Sequence, residues 1–152
     1  MQDHDVKFIQ ITRRAALGLL SAALPFGVPP AAAAGKAGPQ LSIKSGTPQT
    51  AQAWVAARAD RYETHFDTAL VVNVKPAMKV RFRCITRGCE FPPSDQPDNV
   101  SRVDASAYDV TSAKGEATIK LIVWTTTPEN VVIVAQPADA AQPQVRFVLN
   151  EH

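Results

Sequence analysis

At 152 residues the chain is one domain with, at most, a tail. A formal net charge of +2 is too small to argue for nucleic acid or an anionic membrane surface as a partner. Hydrophobic content of 45% and charged content of 20% are those of an ordinary globular chain, part of the apolar share coming from the N-terminus.

Lys7, Arg13 and Arg14 place positive charge ahead of an apolar run from Ala15 to Leu24, and Ala31 to Ala34 follow as small residues for a peptidase. This is the three-part layout of an export signal. The run falls short of the roughly 20 apolar residues that cross a bilayer. Pro25, Pro29 and Pro30 close it off, so no permanent membrane anchor is expected. Thr12-Arg13-Arg14-Ala15-Ala16-Leu17 resembles the bacterial twin-arginine signal, Ser/Thr-Arg-Arg-x-Phe-Leu-Lys. The threonine, both arginines and the leucine match, while Ala16 stands where phenylalanine is usual and Gly18 where lysine is common. That resemblance implies export in a folded state across the bacterial inner membrane. An ordinary Sec signal carrying two arginines is the alternative. Either route delivers a periplasmic or secreted protein, cleaved after Ala32, Ala33 or Ala34. Residues 1–34 are therefore expected to be the export signal, 35–39 a short linker and 40–150 the domain. From Gly35 to His152 thirteen Lys and Arg stand against twelve Asp and Glu, a net +1 that argues against partner binding through the charge of the whole surface.

The remaining chain reads as short runs of β-branched and aromatic residues bounded by Gly, Pro, Asn or Asp. Leu41 to Lys44 comes first, then a turn at Gly46-Thr47-Pro48 and a second run from Thr50 to Arg58. The stretch around that second run is alanine-rich, and residues 50–66 are compatible with strand or helix. The choice decides whether Trp54 and Tyr62 belong to the core. Thr68 to Val74 and Lys79 to Cys84 follow, with Asn73 to Lys79, holding Pro76, as a hairpin turn. In Lys79-Val80-Arg81-Phe82-Arg83-Cys84 the apolar residues share one face and the basic ones the other, as in an antiparallel strand with one wet side.

Cys84 and Cys89, the only cysteines, close this strand. A metal clamp, a redox pair and a structural staple are the three readings. In an oxidising compartment two such cysteines usually become a disulfide, and Gly88 supplies the backbone freedom for the tight turn. A ring this short stabilises by only about 2 kcal/mol, so the bond is expected to set the shape of the loop. Zinc needs two further ligands, and the mature chain offers only His65 and the terminal His152. Blue copper wants two histidines, a cysteine and usually a methionine, for which Met78 is the candidate, but the spacing is wrong. A catalytic pair typically has Cys-x-x-Cys spacing at a helix start. No metal and no cofactor is therefore expected.

Phe91 to Gly115 opens as a loop with Pro92, Pro93 and Pro97, and Val100 to Val110 is expected to add an edge strand. Ala117 to Trp124 reads as one strand with Ala117, Ile119, Leu121 and Val123 facing together, and its partly apolar opposite face places it centrally or under a loop. Pro128-Glu129-Asn130 is expected to turn a hairpin into Val131 to Gln136, and Val145 to Leu149 ends the series. About seven strands in this length predict an all-β fold, a single antiparallel β-sandwich.

Lys114-Gly115-Glu116-Ala117-Thr118, followed after a loop by Val132-Ile133-Val134-Ala135, resembles the closing half of a bacterial immunoglobulin-like domain of the invasin and intimin type. Val80-Arg81-Phe82 is similar to that family's middle Val-x-Phe strand. The likeness covers about Gln40 to Leu149 and implies an Ig-like sandwich. This chain shows one domain, no tandem array and no membrane barrel, so the family's adhesin function does not carry over.

No enzyme is expected. His65 is the only internal histidine of the mature chain; Asp60, Glu63 and Asp67 lie near it, but no Gly-x-Ser-x-Gly element does. Asp95, Asp98, Asp104 and Asp109 lack calcium-loop spacing. The most distinctive surface is basic: Lys79, Arg81 and Arg83 along one strand, with Lys75 and Arg87 at its ends. A solvated face or a charge-guarded sheet edge would look the same. The sharper expectation is a non-catalytic binding or accessory module whose basic strand or Cys84–Cys89 loop docks an acidic periplasmic protein or an anionic envelope polymer. The alternative is a small metal or cofactor carrier using Cys84, Cys89, His65 and Met78.

Overall fold

Val, Ile, Thr and aromatic residues recurring at every second position favour extended backbone, and strand is the only regular structure in the residues the computed structural model describes, 37–56 and 60–152. Residues 1–34, with Arg13 and Arg14 of the expected export signal, lie outside them. The strands are β1 (Gln40–Ser45), β2 (Gln49–Ala51), β3 (Ala53–Val55), β4 (Tyr62–His65), β5 (Leu70–Lys75) and β6 (Lys79–Cys84). They continue with β7 (Val100–Asp104), β8 (Ala107–Thr111), β9 (Glu116–Ile119), β10 (Ile122–Thr125), β11 (Asn130–Pro137) and β12 (Val145–Glu151). Residues 50–66 thus contain strands and no described helix.

A six-stranded sheet runs β2-β12-β11-β6-β8-β7, and two three-stranded sheets run β1-β5-β9 and β10-β4-β3. Every pairing is antiparallel except that of β12 with β2, which is parallel. The C-terminus is sewn in there: the His152 amide donates to the Ala51 carbonyl at 3.2 Å and its own carbonyl accepts from Ala53 at 2.9 Å.

Apolar faces of all three sheets meet in one core. Leu70, Val72 and Val74 of β5 and Ile119 of β9 lie in one buried cluster with Val80, Phe82, Ile133, Phe147 and Leu149 of the large sheet. Phe82 and Phe147 are tilted against each other at 6.1 Å. The alternation expected in β6 holds: Val80, Phe82 and Cys84 are buried. Trp54, in contrast, is 63% exposed on the three-residue strand β3.

The expected seven strands are twelve short ones among the described residues, and the differences have local causes. Val100 to Val110 is a hairpin of β7 and β8, turning where Asp104 caps the Ser106 amide at 2.7 Å. Only β7 is at the edge. Ala117 to Trp124 is cut into β9 and β10, which belong to different sheets. Leu70 stands opposite Ile119 and His65 opposite Ile122, so residues 66–69 on one chain face only 120–121 on the other. This wide irregularity separates the two small sheets.

Neither proline turn is a hairpin. The chain passes Pro76 from β5 to β6, and passes 126–129 from β10 to β11, in both cases changing sheets. The tight hairpin is Lys114–Gly115, between Ala113 and Glu116, which exchange backbone bonds of 2.8 and 3.0 Å. Both central residues have positive φ, 51° and 79°, the geometry that matches strand twist in a two-residue turn and that favours glycine.

Candidate functional site

Cys84 ends β6 with its side chain on the buried face, and Gly88 at φ 74° folds the chain back so that Cys89 meets it. The two form a disulfide with Cα atoms 6.2 Å apart. Its position gives the bond more reach than its short ring suggests. Glu90, the next residue, exchanges backbone bonds of 2.8 and 2.7 Å with Trp124 of β10. The staple therefore ties β6 of the large sheet to β10 of a small one.

The loop between the cysteines is held on several sides. The Ile85 amide donates to the Val132 carbonyl at 3.0 Å, and the Thr86 hydroxyl accepts from the Val132 amide at 2.8 Å. Arg61 donates to the Gly88 carbonyl at 2.8 Å and reaches Glu90 at 3.2 Å. Ile85 and Arg87 remain exposed on this fixed frame.

Among the described residues no cysteine is free and no three His, Cys, Asp or Glu side chains gather as metal ligands. Met78 precedes β6, at the end opposite Cys84, roughly 20 Å of extended chain away. The four residues named for a carrier are thus not assembled, and both thiols are bonded to each other. His65 on β4 bonds Glu63 through Nε2 at 2.7 Å. Glu63 also accepts the Trp124 indole N–H at 2.7 Å. That indole bond above all, and then His65, holds the Glu63 carboxyl below its ordinary pKa.

Lys79, Arg81 and Arg83 project from the outer face of β6, which lies inside the large sheet between β11 and β8 and is not an edge. Two of these cations have partners in the same sheet. Arg81 donates from Nε to Asp109 Oδ1 at 2.7 Å and from Nη2 to Oδ2 at 3.0 Å, and Asp109 raises the arginine's pKa. Arg83 reaches Asp104 at 3.1 Å. Asp104 is held below its ordinary pKa by the Ser106 amide first, with the Ser106 hydroxyl and Arg83 adding to it.

The strand order adds a residue that sequence reasoning missed. Arg146 of β12 stands opposite Val134, and Val134 opposite Arg83, so both arginines flank one buried valine on the same face. No local signal marks Arg146, since its neighbours lie on distant strands. The outer face carries Lys79, Arg81, Arg83 and Arg146 against Asp104 and Asp109, two cations in excess. Lys75 lies at the end of β5 in a different sheet, and Arg87 lies in the disulfide loop.

Comparison with known proteins returns no matching family model. No curated protein and no solved structure matches either.

Proposed function

We propose that the chain is an exported, non-catalytic binding module: an Ig-like β-sandwich that docks an acidic periplasmic protein on the outer face of its large sheet. The observation that carries this reading is the net positive row across β12, β11 and β6, where Arg146, the buried Val134 and Arg83 lie side by side on rigid strands. Arginines fixed by a sheet can meet carboxylates bidentately without ordering a loop first. Consecutive strands that cross from sheet to sheet around one core support the sandwich, and the Cys84–Cys89 bond between layers suits an oxidising compartment.

Arg81 is the least available of these cations, because a bidentate pair with Asp109 takes its Nε and Nη2 donors. The test is a photo-cross-linker placed at Thr111, opposite Lys79 on the same face, in the full chain exported by its own cell. Lys79→Glu with Arg146→Glu should abolish cross-linking to a discrete acidic protein while leaving the melting temperature unchanged. Undiminished cross-linking in that variant refutes the docking face. Binding transferred to an anionic polymer such as polyglutamate, with no protein cross-link, would reassign the face to an envelope polymer.

A further inference from the structure

The break between the β10-β4-β3 and β1-β5-β9 sheets is also a surface feature. Two cavities of about 450 and 480 Å³ adjoin at it, sharing His65 and Asp67 in their walls. One runs past Ile122 to Ser94 and Gln96 of the proline-rich loop. The other runs past Thr68 and Gln52 to Trp54. Because Ile122 is opposite His65 and β3 lies beyond β4, the joint groove crosses the strands. Three strands at about 4.8 Å spacing give it about 10 Å of width before the flanking loops are added, room for a short oligosaccharide.

The lining narrows the ligand class. Hydroxyls and amides that both donate and accept are supplied by Ser94, Gln96 and Thr118 on one side and by Thr50, Gln52 and Thr68 on the other. Asp67 and Asp95 against the single Lys120 leave no excess cation for a phosphate or sulfate. Trp54 contributes an indole that is exposed and outside the core. An indole face takes the C–H side of a pyranose, while carboxylates, amides and hydroxyls bond its equatorial hydroxyls. An extended peptide would instead add along a strand edge through backbone bonds, and this groove runs across strands.

We infer that the groove between Trp54 and the 94–97 loop binds a neutral oligosaccharide. This site touches the large sheet only at its end strands β2 and β7 and uses none of β6, β11 and β12, which carry the docking row, so the two stand or fall separately. The full chain is expressed, and the protein recovered from the envelope is titrated with chitotetraose, cellotetraose and maltotetraose by calorimetry and tryptophan fluorescence. At least one should bind with a Kd below about 1 mM. Trp54→Ala should weaken that binding about tenfold with an unchanged melting temperature. Gln52→Ala, a second exposed position, should weaken it less. Silence from all three sugars at about 10 mM overturns the inference, as does sugar binding that survives Trp54→Ala. Uptake of an extended decapeptide at Trp54 with no sugar bound would overturn it too and give the groove to peptides.

Discussion

Arg81→Met is the most informative single change on the large sheet, because it separates a structural cation from the docking surface. The Arg81 side chain is 26% exposed and that of Asp109 11%, and the two share a pair of hydrogen bonds in register across β6 and β8. Removing the guanidinium leaves a carboxylate nine-tenths out of water with its strongest partner gone. Breaking a fully buried pair this way typically destabilises by about 3–5 kcal/mol, and hydrogen bonds to charged groups are worth about 1.5–3 kcal/mol. A quarter-exposed arginine places this pair in the lower range, about 2 kcal/mol. For a domain of this size that is about 8 °C in melting temperature. Asp109→Leu alone should cost about as much, since it strands the cation. The double variant Arg81→Met, Asp109→Leu should recover to within about 1 kcal/mol of wild type, because apolar side chains replace both charges on strands that tolerate them. A double-mutant cycle in urea, read by tryptophan fluorescence, yields the coupling directly. Arg81→Met within about 0.5 kcal/mol of wild type, or single-variant losses that simply add, would refute the reasoning.

Replacing both cysteines, Cys84→Ser with Cys89→Ser, should lower stability by about 2 kcal/mol through loop entropy alone. A larger loss is expected if the tie between β6 and β10 also keeps Glu90 on Trp124, which hydrogen exchange at those two amides reports. An intact mass two hydrogens lighter than the reduced chain, beginning near Gly35, would verify the disulfide and the expected export together. Glu63 and Asp104 are both lowered on folding, so each adds stability that is complete above its ordinary pKa and is lost as pH falls through the lowered one. Melting temperatures of wild type and Glu63→Gln should therefore converge as pH falls below the ordinary carboxyl value of 4.5 and through the lowered one, and a constant gap would show that Glu63 acts only through its shape.

Burial was legible in the sequence to a finer grain than pairing. Ala117, Ile119, Leu121 and Val123 are all buried although the chain is cut between β9 and β10. Their parity survives because the extra residues are taken up by 66–69 on the opposite chain, where alternation is interrupted by Asp67 and Thr68. Pro76 and Pro128 stand where β5 and β10 have ended, but the hairpins expected there do not form, since a proline reports only that a strand cannot continue. Whether the next strand lies beside the last or across the core depends on which faces remain open, which is a property of the whole fold. In the alanine-rich stretch around Trp54 neither periodicity was strong, and the edge strand there leaves the indole outside.

The same limit explains the candidate sites. The alternation of β6 predicts that Lys79, Arg81 and Arg83 share a face, yet it is silent on which of them is already paired. Asp109 lies 28 residues away and becomes a neighbour only because β8 docks beside β6. Arg146 joins the row for the same reason, through β11. The groove at Trp54 is more non-local still, being the gap left where four residues of one chain face two of another. Both surfaces are consequences of strand order. Deleting the excess of residues 66–69 would thus be expected to close the gap between the small sheets and erase the groove, while the charge row on the large sheet, which shares no strand with it, stays intact.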